Sequence, residues 1–128
     1  MSTTLEVVQQ AYEFAKRADH RKLRELVADD ATWSPAREGQ WNPCRDGDMV
    51  VQTMVWRSGK ANKLRPGEAI ELGDRVVIQM RGKRLERLGA KGLIPRLFQV
   101  VEVRNGQIVR IQDFPKRDAA LAGAGLQS

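Results

Sequence analysis

Asp113 is the residue whose type and position are best suited to chemistry. It follows Ile111 by two residues and Val109 by four. Because alternate residues of a strand face the same side, its carboxylate shares a face with two apolar side chains. Burial in such surroundings raises the pKa of a carboxyl group, which suits Asp113 to proton transfer near neutral pH. The alternative is a structural acid that binds the backbone or an arginine such as Arg110 or Arg117.

Gln99 is the second candidate, and it belongs to the same predicted hairpin. Two partly alternating β-branched segments, 97–104 and 107–114, flank Asn105-Gly106. Asn and Gly tolerate the positive φ angles of a tight turn, so the sequence predicts a β-hairpin. One face of this hairpin would carry Gln99, Val101, Val109, Ile111 and Asp113. The other face would carry Phe98, Val100, Glu102 and Arg110, and we expect it to form a contact with a partner.

Residues that serve as metal ligands or nucleophiles are sparse. His20 is the only histidine and Cys44 is the only cysteine, so the sequence predicts no metal site. Cys44 has no histidine near it in sequence to act as its base, which argues against a nucleophile. Neither a G-x-G-x-x-G motif nor a P-loop is present, and we expect no cofactor.

Helices come first in the chain and strands follow. Helical periodicity covers residues 4–18, a shorter helix starts after Asp19, and a third starts after Asp46 or Asp48. Strand patterns cover residues 31–34, 75–81 and both arms of the hairpin. This order is typical of an α+β domain with helices against one face of an antiparallel sheet. We expect one domain over residues 1–128, with residues 119–128 forming a frayed tail.

The formal net charge of +6 permits binding to polyanions. Basic residues concentrate at 57–65 and 81–96, but no aromatic residue lies between Arg57 and Arg96 to stack with bases. We therefore expect no nucleic-acid partner, and a polyanion-binding module built on the basic segment 81–96 is the weakest hypothesis. No apolar run is long enough to span a membrane. With one cysteine and no signal-peptide pattern, we expect a cytoplasmic location.

Four segments together resemble the SnoaL-like branch of the nuclear transport factor 2-like superfamily. They are VVQQAYEFAKRADHRKLRELVADDATW, CRDGDMVVQTM, GDRVVIQ and FQVVEVRNGQIVRIQDF, and they occur in the order and spacing of that family. The resemblance implies a cone-shaped α+β fold in which a curved antiparallel sheet wraps over three helices. It also implies an internal pocket that opens at one end, and a homodimer through the sheet face.

The implied pocket takes residues from the first and third predicted helices and from four predicted strands. Its wall would consist of Tyr12, Trp33, Met54, Ile78, Met80, Val101, Val109 and Ile111. For Tyr12, a packed side chain with a hydrogen-bonded hydroxyl is favoured over a hydroxyl presented to a ligand. Trp41, in the loop 36–48, could cover the mouth of the pocket. Trp56 is expected at an interface or in the core.

The catalytic sets of the family match this sequence only in part. The ketosteroid isomerases of this fold, which the sequence resembles, use a base, a tyrosine and a second acid. In this sequence Pro35 stands at the position of the base, Ala11 at that of the tyrosine and Gln99 at that of the second acid. Epoxide hydrolases similar to limonene epoxide hydrolase use a strand-borne Asp-Arg-Asp set. Asp113 matches the last acid of that set, but Met80 and Gly82 stand at the other two positions, with Arg81 between them.

SnoaL-type cyclases rely mainly on one acid in the pocket, and Asp113 could serve alone in that role. The first interpretation is therefore a protein that binds a small organic molecule, apolar or of mixed polarity. The alternative is an enzyme of the same fold, a cyclase, isomerase or epoxide hydrolase, in which Asp113 acts as general acid or base with help from Gln99.

Overall fold

A computed structural model of the chain describes residues 3–60, 63–82 and 97–125. It contains four helices and five strands. The helices are α1 (Thr4–Lys16), α2 (His20–Glu25), α3 (Gly47–Ser58) and α4 (Arg117–Gly123). The strands are β1 (Val27–Ser34), β2 (Arg65–Leu72), β3 (Arg75–Arg81), β4 (Phe98–Arg104) and β5 (Gln107–Phe114). Most of the basic segment 81–96 lies outside the described residues, so its predicted role stays a prediction.

Side-chain caps fix where the three N-terminal helices begin. Thr3 accepts a hydrogen bond from the backbone N–H of Glu6 at the start of α1. Asp19 and Asp46 do the same for α2 and α3. Each cap satisfies a backbone donor that has no partner within its helix. The predicted order of the helices is confirmed, although the first strand begins at Val27, four residues before the predicted start.

The sheet has the order β1-β5-β4-β3-β2. Strands β2 to β5 form an antiparallel meander, whereas β1 pairs with β5 in parallel. The sheet is therefore mixed, which corrects the expectation of a fully antiparallel sheet. Because β1 is linked to the meander through α3 and not by a hairpin, no tight turn forces it to run antiparallel to its neighbour.

The turn between β4 and β5 is the predicted hairpin. Asn105 and Gly106 have φ angles of 54° and 76°, in the left-handed region that these two residue types tolerate. The turn pairs Arg104 with Gln107 and Val103 with Ile108, and an irregularity between Glu102 and Val103 then shifts the register by one residue. As a result, Val101 lies opposite Ile111 and Gln99 opposite Asp113. The two polar candidates are thus neighbours on one face of adjacent strands.

The main core lies between the helices and the concave face of the sheet. The apolar sides of α1 and α3 pack there against side chains from β1, β3, β4 and β5. Gln99 and Asp113 are buried polar residues on this concave face. The helices and the curved sheet form the expected cone, and among the described residues no helix is long and apolar enough to cross a membrane.

A second cluster lies on the convex face and corrects two expectations. Helix α4 packs Ala120 and Ala124 against Val77, Phe98 and Val100. Residues 119–125 are therefore not a frayed tail, because the small alanine side chains let the helix approach the sheet closely. Phe98 and Val100, assigned from the sequence to a partner contact, are already covered by their own chain. Glu102 is half-buried and Arg110 is exposed, so these two remain accessible on that face.

Trp56 does not belong to the core. Its side chain is 67% exposed on the outer side of α3, which excludes the core and leaves the interface as the other of its two expected places. Residues Val50 and Met54, on the inner side of the same helix, are fully buried.

Candidate functional site

Asp113 accepts hydrogen bonds from three side chains. Its Oδ1 accepts from Trp33 Nε1 at 2.8 Å and from Gln99 Nε2 at 3.1 Å. Its Oδ2 accepts from Arg57 Nη1 at 3.2 Å, which forms an ion pair. The carboxylate is only 3% exposed and lies beside the apolar core, so these donors replace the water that it loses on burial.

Each partner comes from a different element. Gln99 lies opposite Asp113 on β4, and Trp33 lies opposite Ile111 on β1, the parallel neighbour of β5. Because these strand residues share the concave face, their side chains converge. Arg57 reaches the same carboxylate from the last turn of α3.

Tyr12 extends the network from α1. Its hydroxyl lies 2.5 Å from Gln99 Oε1. A carboxylate can only accept hydrogen bonds, so Gln99 must turn its NH₂ group to Asp113 and its carbonyl oxygen to Tyr12. Tyr12 must then be the donor. Its pKa is raised far above its ordinary value, first by burial and then by the negative charge of Asp113, which keeps the donor proton in place.

Arg57 lies in a corner formed by two tryptophans. The rings of Trp33 and Trp41 are at 86° to each other, with centroids 6.1 Å apart. The guanidinium carbon of Arg57 is 4.7 Å from the Trp33 ring centroid and 4.6 Å from that of Trp41, within the range of cation–π attraction. The Arg57 side chain is 17% exposed, so it separates Asp113 from solvent.

The loop that carries Trp41 is tied to the first strand. Backbone hydrogen bonds join Trp33 and Cys44 in both directions, at 2.9 and 3.1 Å. The buried Cys44 thiol lies 3.3 Å from the Thr53 hydroxyl on α3. These contacts hold the loop against β1 and α3, and they give Cys44 a structural role.

The burial of Asp113 raises the pKa of its carboxyl group. Loss of hydration is the largest cause, and it is opposed by the hydrogen bond from Trp33, by the charge and hydrogen bond of Arg57, and by the hydrogen bond from Gln99. A carboxyl group with a raised pKa and a cation beside it is typical of sites that transfer protons or bind polar ligands.

All eight residues predicted to line a pocket lie in or against one hydrophobic cluster. Seven are buried: Tyr12, Trp33, Met54, Ile78, Met80, Val101 and Ile111. Val109 is only partly buried and packs against the cluster from its edge. Hydrogen bonds link four of the ten predicted site residues directly: Tyr12 to Gln99, and Gln99 and Trp33 to Asp113. Whether they bind a ligand stays a prediction.

Arg57 is the site residue that the sequence analysis missed. The arginines considered as partners of Asp113 lie elsewhere: Arg110 is exposed and donates to Gln112, and Arg117 lines a groove on the convex face. The sequence did contain one signal. Val50, Met54 and Arg57 are spaced by four and three residues, which places the arginine in the buried row of α3.

The described part of the chain has no group of three His, Cys, Asp or Glu side chains that could hold a metal ion. The Asp-Arg-Asp set of the epoxide hydrolases is also incomplete among these residues. Met80 is buried and Arg81 is exposed, so the cation beside Asp113 comes from a helix and not from the middle strand.

No protein-family model matches the chain, and no curated protein matches it in sequence. Solved structures do resemble it. A protein of unknown function with a cystatin-like fold from Methylobium petroleophilum has a TM-score of 0.69 and 13% identity, over 98% of this chain and 91% of the other.

Two similar structures carry functional names. A protein assigned as a polyketide cyclase from Sinorhizobium meliloti has a TM-score of 0.59 and 20% identity, covering 84% of this chain and 92% of its own. An epoxide hydrolase of the limonene epoxide hydrolase type from M. tuberculosis has a TM-score of 0.60 and 14% identity, covering 94% and 87%. At such low identities the similarity establishes the fold alone. The chain has the nuclear transport factor 2-like fold, as expected from the sequence.

Proposed function

We propose that this chain, with its nuclear transport factor 2-like fold, binds a small organic molecule of mixed polarity at the Asp113 site. The apolar part of the molecule would contact the cluster around Trp33 and Met54. The polar part would lie next to Asp113, Arg57 and Trp41. The proposal is more specific than the fold, because the same fold supports unrelated activities.

One observation carries this proposal, namely the ion pair of Asp113 and Arg57 in a largely apolar interior. Removing both charges from water costs several kcal/mol, and apolar residues of similar size often pack at such positions without loss of stability. A charged pair at this position is therefore more simply explained by binding than by folding. The names of two similar structures, a polyketide cyclase and an epoxide hydrolase, support a small organic ligand.

A thermal-unfolding screen with and without candidate ligands tests the proposal. The panel would contain aromatic and alicyclic ketones, epoxides, alcohols and acids, all smaller than about 300 Da, a size that fits the usual volume of ligand pockets. We expect at least one compound to raise the Tm of the wild type and to have a smaller effect on Asp113→Asn. A panel in which no compound raises the Tm would contradict the proposal.

The second candidate function is an enzyme of the same fold, in which Asp113 acts as general acid or base. The raised pKa of its buried carboxyl group favours this function, because a base with a pKa nearer neutrality accepts a proton more readily. Gln99 would assist by orienting the carboxylate through its NH₂ group. A cyclase, an isomerase and an epoxide hydrolase all remain within this candidate.

Turnover of any ligand found in the screen would distinguish the two functions. An enzyme should convert the compound at a rate that Asp113→Asn lowers by about a hundredfold or more, since positioned proton transfer contributes that much. A binder should return the compound unchanged. Equal turnover by the wild type and the variant would exclude Asp113 as the catalytic group.

We also propose that the chain forms a homodimer and is located in the cytoplasm. The free cysteine fits a reducing compartment. Since α4 covers Phe98 and Val100, the dimer contact would use the part of the convex face around Glu102 and Arg110. Light scattering tests the dimer, and Arg110→Glu should weaken it; a monomeric mass at micromolar concentration would contradict it.

A further inference from the structure

We propose that Arg57 determines specificity by binding a neutral carbonyl oxygen of the ligand, next to a flat conjugated body that packs on Trp41. This inference rests on the proposed function of the Asp113 site and names the chemical class of its ligand. Four features of Arg57 support it: N–H donors without an acceptor among the described residues, contact with two tryptophan rings, neutralisation of its charge by Asp113, and a position at the surface of the core.

The guanidinium of Arg57 has more donors than it uses. A guanidinium carries five N–H groups, and the described residues accept only one hydrogen bond from this side chain, at Asp113 Oδ2. The Arg57 side chain is 17% exposed, so part of it is open to solvent and to a ligand. A ligand oxygen that replaces water there would receive one or two charge-assisted hydrogen bonds.

The surroundings of Arg57 hold these donors in place. Trp33 and Trp41 cover two perpendicular sides of the guanidinium, and Asp113 fixes one of its terminal nitrogens. A ring that stacks on the guanidinium face leaves the N–H groups in the guanidinium plane free to bind. Because the two rings are at 86° to each other, only one of them can stack in this way. Trp33 is fixed in turn by its own hydrogen bond to Asp113. The donors are therefore preorganised for an acceptor, which lowers the entropy lost on binding.

Charge balance selects a neutral acceptor. Asp113 already neutralises Arg57, so a carbonyl oxygen adds no net charge to the site. A ligand carboxylate on the free N–H groups would be brought close to the Asp113 carboxylate, and like charges at such short distances repel. The half-buried Trp41 offers an aromatic surface beside Arg57, which favours a flat conjugated ligand.

A matched series of three phenyl compounds tests the inference. Acetophenone has the carbonyl oxygen, cumene has a methyl group in its place, and benzoate has a charged carboxylate. Ligand-observed NMR titrations would measure their dissociation constants for the wild type, Arg57→Met, Arg57→Lys and Arg17→Met. Arg17 serves as the control because it is exposed just after α1 and forms its ion pair with Glu13 and not with Asp113.

We expect the wild type and Arg17→Met to bind acetophenone tighter than cumene by about tenfold or more, as a charge-assisted hydrogen bond would require. Arg57→Met should bind the two about equally, and Arg57→Lys should keep part of the preference.

Equal binding of acetophenone and cumene by the wild type would overturn the inference and leave the proposed function intact. Tightest binding of benzoate would overturn it in favour of anion recognition. Binding of none of the three would count against the proposed function itself, and hence against both. The wild-type comparison needs no variant, so a misfolded substitution cannot hide the result.

Discussion

Arg57 and Asp113 lie 56 positions apart in the sequence and meet through one hydrogen bond of 3.2 Å between Nη1 and Oδ2. The arginine ends α3, and the aspartate lies near the end of β5. Their pairing joins the helical layer to the sheet at a level where the other neighbours are mostly apolar. It also leaves most of the guanidinium donors without a protein acceptor in the described part of the chain.

Asp113→Ala should destabilise the protein by about 3 kcal/mol, because a buried partner of an ion pair is removed and three donors lose their acceptor. Arg57→Met should destabilise it as well. The double variant should be more stable than the sum of the two single effects predicts, since no unpaired charge remains. Urea unfolding of the four proteins measures this coupling, and simple additivity would contradict the ion pair.

Tyr12→Phe should reduce the free energy of unfolding by about 1–2 kcal/mol, because the buried Gln99 Oε1 loses the one donor that it has among the described residues. Gln99 cannot recover by turning its amide, since its carbonyl oxygen would then face the Asp113 carboxylate. Tyr12→Phe in a Gln99→Leu background should have a smaller effect, and this comparison provides the control. An unchanged stability of Tyr12→Phe would exclude the hydrogen bond as a significant contact.

The stability of the protein should depend on pH through Asp113. Its folded-state pKa is raised by burial, so between the ordinary aspartate value and the raised value the folded state holds a proton that the unfolded state has released. Stability should therefore fall as pH rises through that window. Unfolding measurements on the wild type and on Asp113→Asn isolate this contribution. The wild type should lose more stability across the window than the variant, and parallel pH profiles would contradict a raised pKa.

Gly123→Ala should destabilise the protein although alanine favours helices. A Cβ atom at this position would lie 2.5 Å from Phe114 Cζ, so either the Phe114 ring or α4 would have to shift. We expect a loss of about 1–3 kcal/mol, typical of overpacking. Ala122→Gly is the control, because residue 122 is exposed and reports helix propensity alone. A stabilised Gly123→Ala protein would contradict the packing of α4 on the convex face.

Local sequence patterns predicted the elements and faces that short-range physics determines. The turn at Asn105-Gly106 joins β4 to β5, and alternation along each strand placed Gln99 and Asp113 on the concave face. That these two residues lie opposite each other also depends on the one-residue register shift between Glu102 and Val103, which the sequence analysis did not predict. Helical periodicity and capping residues located α1 and α3 for the same reason.

Features that depend on distant parts of the chain were not predicted. The parallel pairing of β1 with β5 has no local signature, because no residue near β1 indicates which strand it will pair with. The same holds for Arg57. A charged residue at the end of a helix is expected to face solvent, and only the complete fold brings Asp113 next to it. The docking of α4 was not predicted, because a short run of alanines and glycines does not by itself indicate a buried helix face. The fold has to supply the surface on which it packs.

The most direct test of the Asp113 site is an NMR titration of the tryptophan indole N–H signals with a compound found in the thermal screen. The three indoles differ in position: Trp33 donates to Asp113, Trp41 contacts Arg57, and Trp56 is exposed on the outer side of α3. Single Trp→Phe variants assign the signals. We predict that the ligand shifts the signals of Trp33 and Trp41 in a saturable manner and leaves that of Trp56 unchanged. A ligand that raises the Tm but shifts only Trp56, or none of the three, would contradict binding at Asp113.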